Sequence, residues 1–148
     1  MKTIPIEMAW RAEAVDEKNR AEDAAAIRSC LLDYFEGWFD GDAARMDQAL
    51  HPALAKHSLG QDPERSDTLD VTTKDEMVEA TRQGRGRSRD LPDRAIRIDI
   101  ASVSGDIASA IVHSAVYVEY ALLARTRDGW RITGTLWRWA EGHGPRAA

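Results

Sequence analysis

The hydrophobic period of the chain changes once, near Ala95, and that change restricts the fold more than any motif does. Before it, apolar residues recur every three or four positions. After it, they recur every second position. Over residues 21–40, Ala24, Ile27, Leu31, Tyr34, Phe35 and Trp38 draw one stripe, which predicts a helix. Gly41 can stop it in the left-handed conformation, and Asp42 can cap a second helix over 43–50 with Met46, Ala49 and Leu50 inward. Pro52 ends that turn, and His51 beside it braces the loop. LAKHSLG, residues 54–60, reads as a short extended piece and QDPERSD as loop. LDVTTKDEMVEATRQG starts extended and turns helical near Thr73 or Lys74, with Met77, Val78 and Thr81 inward. Beyond the change, AIRIDIASV alternates Ile96, Ile98 and Ile100 against Arg97 and Asp99. A turn at Ser104 to Asp106 leads into IASAIVHSAVYVEYALLART, read as one long strand. Asp128-Gly129 signals a hairpin, and WRITGTLWRW returns. Helices first and strands later predict an α+β domain, with helices over one face of an antiparallel sheet of three long strands.

A length of 148 residues suits one domain with a real core. Residues 1–20 are highly charged and read as a loose arm, helical from Ala12. Residues 21–140 form the domain, and 141–148 read as a flexible tail. The net charge of −5 argues against a dedicated nucleic-acid binder. No run approaches the roughly 20 apolar residues of a membrane span. The opening segment also lacks the apolar core of a signal peptide, so a cytoplasmic protein with no membrane association is expected.

Cys30 is the single cysteine, so no disulfide forms within the chain, and its place beside Ile27 and Leu31 predicts a buried core thiol. The four histidines are scattered and no metal-ligand spacing or GxSxG elbow occurs, so no metal is expected and any chemistry must be assembled by the fold. Alternation along the strand from Ile107 puts His113, Tyr117 and Glu119 on one side. Glu119 in an apolar run reads either as an ion-paired carboxylate or as an acid or base in a pocket. His113 reads as a structural histidine or a pocket residue. Lys56 and His57 are adjacent on the short strand, so one of them points inward. The basic run from Arg82 to Arg94 reads as a solvated connection or as a lid that grips an anion.

YFEGWFDGDAARMDQALHPALAKHSL, DEMVEATRQGRG and IASAIVHSAVYVEYALLARTRDGWRITGTLW, with the order of elements, resemble the nuclear transport factor 2-like superfamily. That superfamily includes SnoaL-like polyketide cyclases, ketosteroid isomerases and scytalone dehydratase. Within it the chain is most similar to the branch labelled "putative lumazine-binding". The resemblance implies a curved antiparallel sheet wrapped around the N-terminal helices, a cystatin-like roll forming a cone with an apolar pocket. It also implies a homodimer through the outer face of the sheet and reactions run mostly without metal or cofactor. Tyr34 lies seven residues before Gly41, the spacing at which ketosteroid isomerases carry their oxyanion-stabilising tyrosine. Gapless counting puts Ser58 where those enzymes carry an aspartate base, and an offset of one residue would offer His57 instead. The chain departs from the branch pattern at His57, at Glu119 in YVEY, and at Gly134 before the terminal LW.

Together these readings predict a cofactor-independent pocket enzyme that moves a proton on a small, largely apolar molecule, in an isomerisation, cyclisation or dehydration. Tyr34 would donate a hydrogen bond to developing charge, and His57 or Glu119 would carry the proton. Trp38, Lys56, His113, Tyr117 and Trp137 would contact the substrate. A non-catalytic carrier using the same pocket, and a structural or protein-interaction domain, are the alternatives.

Overall fold

The computed structural model of the chain describes the backbone of residues 6–59, 67–87 and 91–144, and side chains from residue 17 onward. Almost all of the QDPERSD loop, residues 88–90 of the basic run and the last four residues of the tail lie outside the described residues.

The first helix, α1 (Ile6–Asp40), starts well upstream of residue 21. The added stretch is rich in Ala, Glu, Lys and Arg, all good helix formers, and contains neither Gly nor Pro after Pro5. Its buried stripe is Ile27, Cys30, Leu31, Tyr34, Phe35 and Phe39, spaced at three and four as the sequence predicts. The helix ends at Gly41, whose φ is +70°. The Asp42 N–H reaches Gly37 O at 2.8 Å and the Gly41 N–H reaches Trp38 O at 3.3 Å, the paired closing bonds of a Schellman cap. Asp42 then accepts from the Arg45 N–H at 3.1 Å and starts α2 (Ala43–Ala49). Where the sequence predicts a turn, at His51 and Pro52, the chain is already extended, and His51 Nδ1 still braces it by accepting from the Ala53 N–H at 3.0 Å. Helix α3 (Lys74–Arg82) begins with a full capping box between Thr73 and Glu76.

The strands are β1 (Leu50–Leu59), β2 (Leu69–Thr72), β3 (Arg97–Ser104), β4 (Ile107–His113), β5 (Tyr117–Thr126) and β6 (Gly129–Trp139). They form one curved, unclosed sheet in the order β2-β1-β6-β5-β4-β3. All neighbours are antiparallel except β1 and β6, which run parallel, so the sheet is mixed at that one seam. The stretch expected as one strand from Ile107 is two. Ser114 breaks it: its hydroxyl accepts from the Val116 N–H at 3.3 Å and the Tyr117 N–H at 2.9 Å, folding the chain back on itself. Alternation therefore restarts. Ala108, Ala110 and Val112 face the helices from β4, and Tyr117, Glu119, Ala121 and Leu123 do so from β5.

Register shifts lie beside Ala101 in β3 and Thr133 in β6. Each inserts a residue, bends its strand and deepens the curve of the sheet. The core lies between the helices and the concave face. Ile27, Leu31, Met46, Leu50, Val112, Val116, Leu123 and Ile132 are almost wholly withdrawn from solvent there. Each contributes about 1.5–3 kcal/mol relative to exposure. The convex face carries Tyr120, Leu122, Leu136, Ile107 and Val71, all largely exposed.

Candidate active site

Tyr34 and Trp38 stand one helical turn apart on α1, so both look toward the concave face of the sheet. Opposite them, Lys56 and Ser58 rise from β1, Tyr117 and Glu119 from β5, and Trp137 and Trp139 from β6. These walls, closed on one side by Met77 and Ala80 of α3, bound a cavity of about 290 Å³.

Inside it, three polar groups join in a chain. The Lys56 ammonium donates to the Tyr34 hydroxyl, which donates to Glu119 Oε2 at 2.9 Å. Lys56 Nζ also lies 3.5 Å from that same oxygen. Strand register explains the meeting. Lys56 pairs with Thr135 and Glu119 pairs with Trp137, so the two side chains reach over β6 from its two neighbours. Their side chains are only 13% and 3% exposed, so each charge depends on the other rather than on water. Burial pushes the Lys56 amine below the ordinary lysine range, with Glu119 pulling in the opposite direction. Burial, reinforced by Glu119, holds the Tyr34 hydroxyl well above its ordinary value, so it stays protonated and able to donate. Thr135, beside Lys56 on β6, has a buried hydroxyl oxygen with no partner among the described residues.

Aromatic rings make up the walls. Trp38 Nε1 donates to the Tyr117 hydroxyl at 3.1 Å. The Tyr117 and Trp137 rings meet edge to face at 5.5 Å, and Trp137 and Trp139 do so at 5.1 Å. Lys56 Nζ lies 5.1 Å from the centre of the Tyr34 ring and 5.2 Å from that of Trp137. Among its described residues the basic run contributes one to the cavity, Arg85. It is brought in because Gly86 lies flat on Trp38: a Cβ at Gly86 would stand 2.3 Å from Trp38 O. Arg94, further along, binds Asp40 instead.

Six of the eight side chains that the sequence singled out thus surround one cavity: Tyr34, Trp38, Lys56, Tyr117, Glu119 and Trp137. The two histidines do not. His57 alternates with Lys56 and faces the convex side, paired in register with Val71 and Leu136. His113 is grouped with Tyr117 and Glu119 only if β4 and β5 are one strand. The turn at Ser114 places it on the convex side, in register with Arg97. Cys30 is the core thiol expected, 5% exposed and pushed up to about 12 by burial. Trp139 was not singled out, although its period-two spacing from Trp137 puts it on the same face. Met77 was expected inward without a role in the site. Ser58 does line the cavity, at the position gapless counting compares with an isomerase base.

Among the described residues no group of His, Cys, Asp and Glu is placed to hold a metal ion. None of their helices is long and apolar enough to cross a membrane.

Solved structures share this architecture. An NTF2-like protein with a cystatin-like fold from Novosphingobium aromaticivorans is 17% identical, with 88% of this chain and 90% of that one covered at a TM-score of 0.65. An NTF2-like protein of unknown function from Silicibacter pomeroyi is 16% identical, covering 82% and 98% at 0.63. A ketosteroid isomerase-like protein from Erwinia carotovora atroseptica is 18% identical, covering 81% and 98% at 0.57. At these identities the likeness is one of fold. No curated protein matches the chain. The model of one protein family, described as "Putative lumazine-binding", matches residues 22–138, from the middle of α1 to the end of β6. The chain belongs to that family and has the fold of the NTF2-like structures.

Proposed function

We propose that the cavity is the active site of a cofactor-independent enzyme that moves a proton on a small, largely apolar organic molecule, in an isomerisation, cyclisation or dehydration. The observation that carries this reading is the buried chain Lys56–Tyr34–Glu119 opening onto aromatic walls. The volume of about 290 Å³ sits at the small end of the range for ligand sites and fits a compact ring or short chain. Glu119 is the carboxylate that takes and returns the proton. Tyr34, held protonated, turns its O–H from Glu119 to the oxygen on which negative charge develops, and Lys56 adds its positive field. Trp38, Tyr117, Trp137 and Trp139 hold the apolar body of the substrate.

Deuterium uptake from heavy water into a panel of small cyclic ketones and enones, followed by NMR, tests this. Uptake is expected with the native chain. It should fall about 10²- to 10⁴-fold in Glu119→Gln, while saturable quenching of tryptophan fluorescence by the same ketone persists. Equal uptake in the variant removes Glu119 from the mechanism. Quenching without uptake in the native chain favours a second reading, a non-catalytic carrier of a small molecule. One observation supports that reading too: Lys56, Tyr34 and Glu119 already satisfy one another.

The same proposal includes a homodimer through the convex face. Tyr120, Leu122 and Leu136 stand exposed there around an apolar groove of about 620 Å³ that also takes in His57.

A further inference from the structure

The cation buried in the cavity is a lysine in a chain that favours arginine: four lysines stand against sixteen arginines. An arginine would hold its charge at every accessible pH, whereas a lysine amine in a dry site can lose its proton and become a nucleophile. We propose that Lys56 attacks the carbonyl carbon of a small aldehyde or ketone in the cavity and holds it as an imine. This rests on the proton-transfer reading above and deepens it by naming carbonyl compounds as the substrate class.

The surroundings of Nζ supply each part of that step. The nitrogen lone pair forms the C–N bond, and the carbonyl oxygen takes a proton to become the hydroxyl of a carbinolamine. Tyr34, already hydrogen-bonded to Nζ, is placed to give that proton and can recover one from the amine nitrogen. Glu119 holds the proton that the Lys56 ammonium sheds to free its lone pair. It gives that proton to the hydroxyl, which leaves as water while the C=N bond forms. Ammonium and carbonyl thus become protonated imine and water, with no oxidant or reductant. The protonated imine keeps a positive charge at the former Nζ. The Tyr34 and Trp137 rings, at 5.1 and 5.2 Å, attract it through their faces. That charge draws electrons from the neighbouring carbon, and Glu119, 3.5 Å from Nζ, is placed to take the α-proton and yield the enamine. Return of the proton at carbon and hydrolysis release product and free Lys56. Burial favours the neutral amine that the first step needs.

The test is reductive trapping on the full chain, with benzaldehyde as probe and cyanoborohydride as reductant, read by peptide mass mapping. Benzylation at Lys56 is expected to run at least about tenfold faster than at the exposed Lys18, and to persist to lower pH than there. Lys56→Arg should lose that label while Lys18 keeps its own. The comparison among lysines of the native chain needs no variant, so it stands even if Lys56→Arg fails to fold. Labelling of Lys56 no faster than of Lys18 overturns the proposal. If benzyl alcohol still quenches tryptophan fluorescence saturably and ketones still take up deuterium, the imine alone has failed and the proton-transfer reading stands. If quenching and uptake are absent as well, both have failed.

Discussion

Replacing one member of the Lys56–Glu119 pair is expected to cost as much stability as replacing both. The two side chains are 13% and 3% exposed, so neither charge falls back on water when its partner goes. Removing one half of a buried pair costs about 3–5 kcal/mol. The lower end applies here, because the survivor can neutralise itself by losing or gaining a proton. Lys56→Met and Glu119→Leu are therefore each expected to cost about 3 kcal/mol. The double replacement leaves no charge, only the Tyr34 hydroxyl without its acceptor, a loss of about 1–3 kcal/mol. With each single near 3 and the double at most near 3, the cycle returns a coupling of about 3 kcal/mol or more, the upper end of what contacting residues show. Urea unfolding followed by tryptophan fluorescence is the assay. With a slope of about 2 kcal/mol per molar, each single variant should lose roughly 1.5 M in midpoint. A double variant that loses the sum, roughly 3 M, would refute the coupling, and so would a Lys56→Met variant indistinguishable from the native chain.

Tyr34 gives a pH prediction with a definite sign. Its folded pKa is raised by burial and Glu119, so above about pH 10 the unfolded chain sheds a proton that the native chain keeps. Stability from this group is complete below that pH and falls as pH rises through the folded value. Tyr34→Phe should lack the fall. Lys56, shifted the other way, adds stability as pH rises toward about 10.4, so the comparison must be between native and Tyr34→Phe curves. Parallel curves would sink the assignment. For the proposed interface on the convex face, Leu122→Lys places a charge on an exposed strand position, and sedimentation is expected to show a dimer for the native chain and monomers for the variant. A native monomer at micromolar concentration, or a variant that still pairs, would remove the proposed interface.

Much of this fold is legible in the sequence because its signals are local. The three-and-four spacing from Ile27 to Phe39 is a property of one helix, and Gly41 with Asp42 states where it stops. Asp128-Gly129 sets the β5–β6 hairpin by turn chemistry alone. The parallel seam between β1 and β6 is another matter. It joins residues some eighty positions apart, and nothing local in LAKHSLG says which strand will lie beside it or in which direction. Ser114 was a weaker signal than glycine or proline would have been. Its side chain makes the turn by accepting two backbone bonds, leaving residues 107–126 looking like one continuous apolar run.

The candidate site depends on strand parity, where a single residue exchanges one face for the other. In β1 the apolar pattern does not decide it: Leu54 and Ser58 share a face with Lys56, while Ala55 and Leu59 share one with His57. The two faces are about equally apolar, so burial alone leaves lysine and histidine interchangeable. What separates them is the opposite wall. Glu119 is fixed inward by its place between Tyr117 and Ala121, and a carboxylate 3% exposed needs donors. Tyr34 supplies one, and the other must come from β1, across the full width of β6. The long lysine stem spans that gap and brings its ammonium to 3.5 Å. An imidazole on the same backbone is too short to do so. His57 outward, beside Val71 and Leu136, leaves no such demand unmet. The carboxylate of one strand thus selects the residue of another, so Glu119→Gln would weaken the preference for Lys56 inward as well as the proton transfer proposed for the site.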